Sequence, residues 1–190
     1  RSADGAALLP GYAECDGAEL HALLQAIVAS APFRAMTTPG GHAMSVSTTS
    51  CGEAGWVSDA KGYRYSTLDP HSGKPWWPMP QRFADLAGRA AARAGFEHFH
   101  PDACLINRYV AGAKMTLHQD RNERDYSQPI ISVSLGLPAV FQFGGLRRGE
   151  RPRRLHLHHG DVVVWGGPYW YWPALSTAAL AARMVFLRRP

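Results

Sequence analysis

The chain has few cysteines, no long apolar run and, toward its end, almost no side chains that bind metals. Cys15, Cys51 and Cys104 are the only three, odd in number, far apart and without a CxxC pair. That leaves no disulfide framework and fits a reducing, cytoplasmic setting. The longest apolar run, near Asp161–Trp165, is far too short to cross a bilayer. No signal peptide, internal repeat or low-complexity tract is visible, so no membrane partner is expected. After His159 there is no histidine, and after Asp161 no Asp, Glu or Cys.

What is present is an apolar fraction of 46% in 190 residues, enough for one globular domain with a small appended lobe. The net charge of +5 and pI of about 9.4 favour anionic partners, nucleic acid first. A solvated basic surface is the ordinary alternative.

Helix signals come early. Leu20, Leu23, Leu24 and Ile27 recur at helical spacing in residues 17–31. A second helix is expected over 80–95, opening at Pro80 and closing at Gly95. Residues 36–79 are rich in Gly, Pro, Ser, Thr and aromatics and read as short strands and long turns. From residue 101, CLINRYV, PIISVSLG, AVFQFGG, RRLHLHHG and DVVVWGG are short β-rich segments, each closed by Gly or a polar turn. The expected class is α+β. A double-sheet jelly roll, a double-stranded β-helix, forms the core over 101–190, and N-terminal elements over 1–100 are laid on it.

One short stretch suggests chemistry. If AKMTLHQD, residues 113–120, is extended as a strand, Thr116, His118 and Asp120 share a face. A histidine and a carboxylate two apart, with a second histidine elsewhere, form the facial triad of non-haem Fe(II) oxygenases. Alone, HxD is common and more often lies in a surface turn.

Its surroundings are more specific. NRYVAGAKMTLHQD, then PIISVSLGLPAVFQFGG and HGDVVVWGG, resemble the AlkB family of Fe(II)- and 2-oxoglutarate-dependent dioxygenases. PFRAMTTPGGHAMSVSTTSCGEAGW, GYRYSTLDPHSGKPWWPMPQRF and PDACLINRY resemble the same family, so the likeness runs from about residue 8 to about residue 167. The resemblance implies oxidative dealkylation of damaged bases such as 1-methyladenine and 3-methylcytosine. O2 and 2-oxoglutarate are consumed, and succinate, CO2 and formaldehyde are released. The implied substrate is alkylated single-stranded DNA, with double-stranded DNA and RNA as further candidates, and the implied state is a monomer.

By the same resemblance His118 and Asp120 are iron ligands, and Asn107 and Tyr109 contact 2-oxoglutarate. Arg183 and Arg189 stand at the spacing of the family's last-strand arginines, one of which pairs a cosubstrate carboxylate. Trp56, Tyr63 and Tyr65 resemble the aromatic nucleotide-recognition lid, since an extracted base needs stacking partners. Thr38, with Pro39 and Gly40, resembles a loop touching the nucleic-acid backbone. Arg148 resembles an arginine beside the base or a phosphate. Asn122 stands where bacterial members carry an acid facing the base, which implies weaker preference for cationic lesions.

The pattern breaks at one place. The family's third iron ligand is a histidine about nine residues after the Trp of DVVVWGG, and that position is Ala174. His156 and His158 alternate on one strand face and are weak substitutes; an exposed strand face explains them equally. Three readings stay open: an active enzyme with an altered third ligand, a nucleic-acid-binding protein without metal chemistry, and a reading-frame slip around residues 168–182. A 2-oxoglutarate oxygenase with a protein substrate is a further rival, opposed by the aromatic lid and Arg148.

Overall fold

In the computed structural model the described residues are 6–116, 118, 127–143, 151–166, 173–177 and 181–188; of 173–177 and 181–183 the backbone alone is described. Both expected helices form. The first, α1, spans Gly17–Ser30 and buries Leu20, Leu24 and Ile27 along one stripe. The second, α2, spans Gln81–Arg93 with Pro80 at its N-cap and buries Phe83, Leu86, Ala87, Ala90 and Ala91. Asp16, just ahead of α1, takes ion pairs from Arg82 and Arg89 of α2, which ties the helices together.

Thirteen strands are described. They are β1 (Ala6–Leu9), β2 (Arg34–Thr37), β3 (Ala43–Gly52), β4 (Gly55–Asp59), β5 (Gly62–Ser66), β6 (Ala103–Tyr109) and β7 (Lys114–Met115). They continue with β8 (Ile130–Gly136), β9 (Ala139–Phe143), β10 (Arg153–Leu157), β11 (Val162–Trp165), β12 (Pro173–Thr177) and β13 (Ala181–Leu187). A seven-stranded sheet has the order β1-β11-β8-β13-β6-β3-β2, and a four-stranded sheet the order β10-β9-β12-β7. The β4–β5 hairpin is a separate two-stranded sheet. Every ladder is antiparallel, and the two larger sheets form the expected jelly roll. Strands β1, β2 and β3 come from the N-terminal half yet pair within the large sheet.

Alternation along the strands assigns two faces to the seven-stranded sheet. On the outer face Cys104, Ile106, Ile131, Val133, Met184 and Phe186 pack in one cluster with α1 and α2. On the inner face Val46, Tyr109, Ile130, Val163 and Trp165 cluster with Phe141 and Leu157 of the smaller sheet. This inner face is the concave interior of the jelly roll.

The C-terminal end of the N-terminal turn is stapled by a carboxylate. Asp161, buried between β10 and β11, accepts hydrogen bonds from the amides of Gly11 (2.8 Å) and His158 (2.8 Å). It thereby joins the start of the chain to the turn that opens β11.

Candidate functional site

The concave face holds buried polar groups where a core would normally be apolar. Thr48 and Ser50 on β3, Asn107 on β6, Ser134 on β8 and Trp165 on β11 are all in the interior. Thr48 Oγ1, Ser50 Oγ, Asn107 Oδ1, Ser134 Oγ and Trp165 Nε1 have no hydrogen-bond partner there. An unpaired buried polar atom costs about 1–3 kcal/mol, so a cluster of them on one face marks a place built for a polar ligand.

Register aligns several of these groups. Arg34 pairs with Thr48, Thr48 with Asn107, Asn107 with Arg183, and Arg183 with Ser134. One level of the sheet therefore carries five polar residues across five strands. Arg183, expected near the cosubstrate, occupies the register position between Asn107 and Ser134. Tyr109 is buried two residues along β6, on the same face as Asn107. Sequence reasoning found Asn107, Tyr109 and Arg183 but missed Thr48, Ser50 and Ser134. The signal for Ser134 was available: in IISVSLG, serines fall at alternate positions among apolar residues.

His118 lies just past β7. The strand covers only Lys114–Met115, so extending a strand over 113–120 is corrected: ladder pairing ends where Lys114 and Met115 meet Ser176 and Leu175 of β12. The ring turns back on its own backbone instead, with Nδ1 2.7 Å from the Thr116 carbonyl oxygen. With Nδ1–H donating to that carbonyl, the ring lone pair resides on Nε2, the tautomer a metal-binding imidazole adopts. Asp120, Asn122, Arg148 and Arg189 lie outside the described residues.

Ala174 falls on β12, paired with Gln142 of β9. That row alternates with the one holding Phe141 and Leu175, and Phe141 belongs to the interior cluster. His156 and His158 do not take the vacant role. His156 is exposed on β10, between Leu155 and Leu157, which pack inward. Its strand is at the far edge of the smaller sheet from β7. His158 sits beyond the strand, its Nδ1 3.7 Å from Asp161. Among the described residues no three metal-binding side chains converge. The donor set therefore fits 2-oxoglutarate well and offers iron two of its expected protein ligands, His118 and Asp120, with no third at position 174.

Over the edge of this interior stands the β4–β5 hairpin. Trp56 and Tyr65 are directly opposed across it. Tyr63, 47% exposed, stacks on Trp56 with centroids 5.6 Å apart and an interplanar angle of 18°. Tyr65 packs against the interior cluster, so this aromatic face adjoins the jelly-roll mouth. Arg64 clamps Asp59 through two bonds of 2.8 and 2.7 Å, closing the hairpin tip. The Arg64 hydrogen bonds, helped by the Lys61 amide, hold the Asp59 carboxyl down to about 2. Gly55 is required at the hairpin base, because a methyl group there would meet the Trp76 ring and Ser50 Cβ.

Thr38 opens the turn between β2 and β3. Its hydroxyl accepts from the His42 amide at 3.2 Å, and its carbonyl accepts from Gly41, whose φ of 80° suits glycine. Pro39, Gly40, Gly41 and His42 are exposed at its tip.

Comparison with known proteins agrees with this geometry. The family model described as "2OG-Fe(II) oxygenase superfamily" matches residues 5–170. Escherichia coli "Alpha-ketoglutarate-dependent dioxygenase AlkB" is 54% identical over 165 residues, 87% of this chain and 76% of that protein. Human "Nucleic acid dioxygenase ALKBH1" is 35% identical over 113 residues, 59% of this chain and 28% of that protein. The solved structure of OsALKBH1 superposes with a TM-score of 0.85 at 20% identity, covering 100% of this chain and 99% of that one, a likeness of fold. A concave polar interior inside a jelly roll, a histidine set for a metal and sequence identity over most of the length converge: this chain belongs to the 2OG-Fe(II) oxygenase superfamily and, within it, to the AlkB family.

Proposed function

We propose that this chain removes alkyl groups from nucleic-acid bases by oxidation, with Fe(II), O2 and 2-oxoglutarate, acting on lesions such as 1-methyladenine and 3-methylcytosine in single-stranded DNA. The observation that carries this reading is the row of buried, unpartnered polar atoms on the concave face, adjoined by the aromatic hairpin. Asn107 and Tyr109 hold 2-oxoglutarate, and Arg183 and Arg189 pair its carboxylates, since a guanidinium matches a carboxylate through two bonds. His118 presents Nε2 to the iron beside Asp120. When bound, iron and cosubstrate supply the oxidising power, and succinate, CO2 and formaldehyde leave. The chain binds, orients and excludes water. Trp56, Tyr63 and Tyr65 stack the extracted base. Thr38 and Arg148 meet the backbone, and Asn122 meets the base edge with an amide that favours cationic lesions less than an acid would. The chain acts as a cytoplasmic monomer.

The test supplies Fe(II), 2-oxoglutarate and a single-stranded oligonucleotide carrying one 1-methyladenine. Equal amounts of succinate and formaldehyde, both dependent on the methylated base, are expected. A second reading, nucleic-acid binding without turnover, is favoured by Ala174 at the place of the third ligand. Tight oligonucleotide binding with no succinate would replace the first reading with the second.

A further inference from the structure

A cavity of about 300 Å3 lies behind the hairpin, between β4–β5 and the strands β2 and β3. Its walls are Met36, Val57 and Trp76, with the Arg34–Asp69 ion pair to one side. Thr48 lines it too, only 2% exposed, and its hydroxyl has no hydrogen-bond partner. A small void with purely apolar walls stays empty, but this one presents a buried hydroxyl with nothing to bind.

The chemistry of the walls narrows the ligand. Arg34 is neutralised by Asp69 through bonds of 2.6 and 3.1 Å. Asp59, which also lines the cavity, is neutralised by Arg64. No uncompensated cation faces the space, so a phosphate would find no charge partner. Met36, Val57 and Trp76 favour a flat, largely apolar ring, and the Thr48 hydroxyl can donate to or accept from a polar edge. A nucleobase has both properties. The walls are also fixed in advance. The Trp76 indole N–H donates to the Ser66 carbonyl at 2.8 Å, and Met36 Sδ accepts from the Ser58 amide at 3.2 Å. Fixed walls reduce the ordering cost of binding.

Position completes the case. Thr37 lines the cavity and leads directly into the exposed turn at Thr38–Gly41. The stacked Trp56 and Tyr63 lie on the other face of the same one-layer hairpin. A strand whose reacting base meets the aromatic face would pass a neighbouring base around the hairpin. We propose that this cavity receives an unpaired base from the same strand, one or two nucleotides from the base being acted on. The proposal rests on the reading that the substrate is nucleic acid.

The experiment uses the full chain loaded with Mn(II) and 2-oxoglutarate. Fluorescence anisotropy measures its affinity for single-stranded oligonucleotides in which one position at a time is abasic. Loss of one stacked base is expected to weaken binding about tenfold at a single flanking position. Val57→Phe, which fills the cavity, should erase that positional effect, and Thr48→Val, which removes only the hydroxyl, should reduce it. A thermal melt of each variant identifies one that fails to fold, and the other then decides. Binding with no dependence on any flanking position, or a dependence that survives both variants, overturns the cavity assignment alone. Failure of the wild type to bind any oligonucleotide overturns the substrate class as well.

Discussion

The two faces of the seven-stranded sheet are made by alternate residues of the same strands, yet they follow opposite rules. On the outer face, Cys104, Ile106, Met184 and Phe186 meet Leu20, Ile27, Phe83 and Leu86 in an apolar cluster. On the inner face, Thr48, Asn107 and Ser134 leave buried polar atoms unpaired. The outer face stabilises, and the inner face gives up stability to keep donors and acceptors ready for a ligand. A period of two lets one strand serve both ends, because neighbouring residues never compete for the same space.

The comparison breaks most visibly on the outer face. The Phe83 ring meets Phe186 edge to face, with centroids 5.9 Å apart, and both side chains are fully buried. Phe83→Ala should cost about 3–5 kcal/mol in unfolding free energy, read from denaturant midpoints. Affinity for 2-oxoglutarate in the folded fraction should stay unchanged. A parallel loss of cosubstrate affinity would mean the faces are not independent.

Asp69 sharpens the contrast from the other direction, because it is a buried charge near the inner edge that is fully satisfied. It accepts two bonds from Arg34, one from the His71 amide and one from the Ser72 hydroxyl. Here polarity serves the fold. Arg34→Met leaves the carboxylate buried without its cation and should destabilise by about 3 kcal/mol.

The same group predicts a pH dependence. Burial works to raise the Asp69 pKa, but Arg34, the His71 amide and Ser72 outweigh it and hold it at about 2, below its ordinary 3.8. A pKa lowered on folding contributes stability that is complete above about pH 4 and is lost as pH falls toward 2. The contribution is about 2 kcal/mol. The difference in melting temperature between wild type and Asp69→Asn should therefore be constant from pH 7 to about 5 and shrink below about 4. A gap that persists at pH 2 would show that the carboxylate contributes by packing alone.

Much of this was legible in the chain. Leu20, Leu24 and Ile27 announce α1 by their spacing, and Pro80 and Gly95 bracket α2. IISVSLG and DVVVWGG read as strands because nearly every residue is buried. Strand β3 was harder. AMSVSTTSCG is rich in Ser and Thr and resembles a loop, and only its neighbours β6 and β2 make it a ten-residue strand. Alternation also placed His156 and His158 together without saying which face was interior; the partners of Leu155 and Leu157 decide that. The polar row from Arg34 to Ser134 is set by strand pairing between segments far apart in sequence, so local patterning could not reveal it.

The smallest change in stability is expected where the functional effect is largest. Asn107 is buried and opposed by Thr48, but its amide oxygen contributes nothing to the fold while unpaired. Replacing it by Leu removes an unsatisfied acceptor and keeps similar volume, so unfolding free energy should change by no more than about 1 kcal/mol and should rise if anything. Binding of 2-oxoglutarate to the Mn(II)-loaded protein, followed by calorimetry, should weaken at least about tenfold, the ordinary cost of one hydrogen bond to a charged group. Ile106→Val, one residue along the same strand but on the outer face, should do the reverse. It should cost about 1 kcal/mol of stability and leave cosubstrate affinity unchanged. If both substitutions moved the same quantity, the division of labour between the two faces would be wrong. If each moves only its own, neighbouring residues on β6 serve separate purposes.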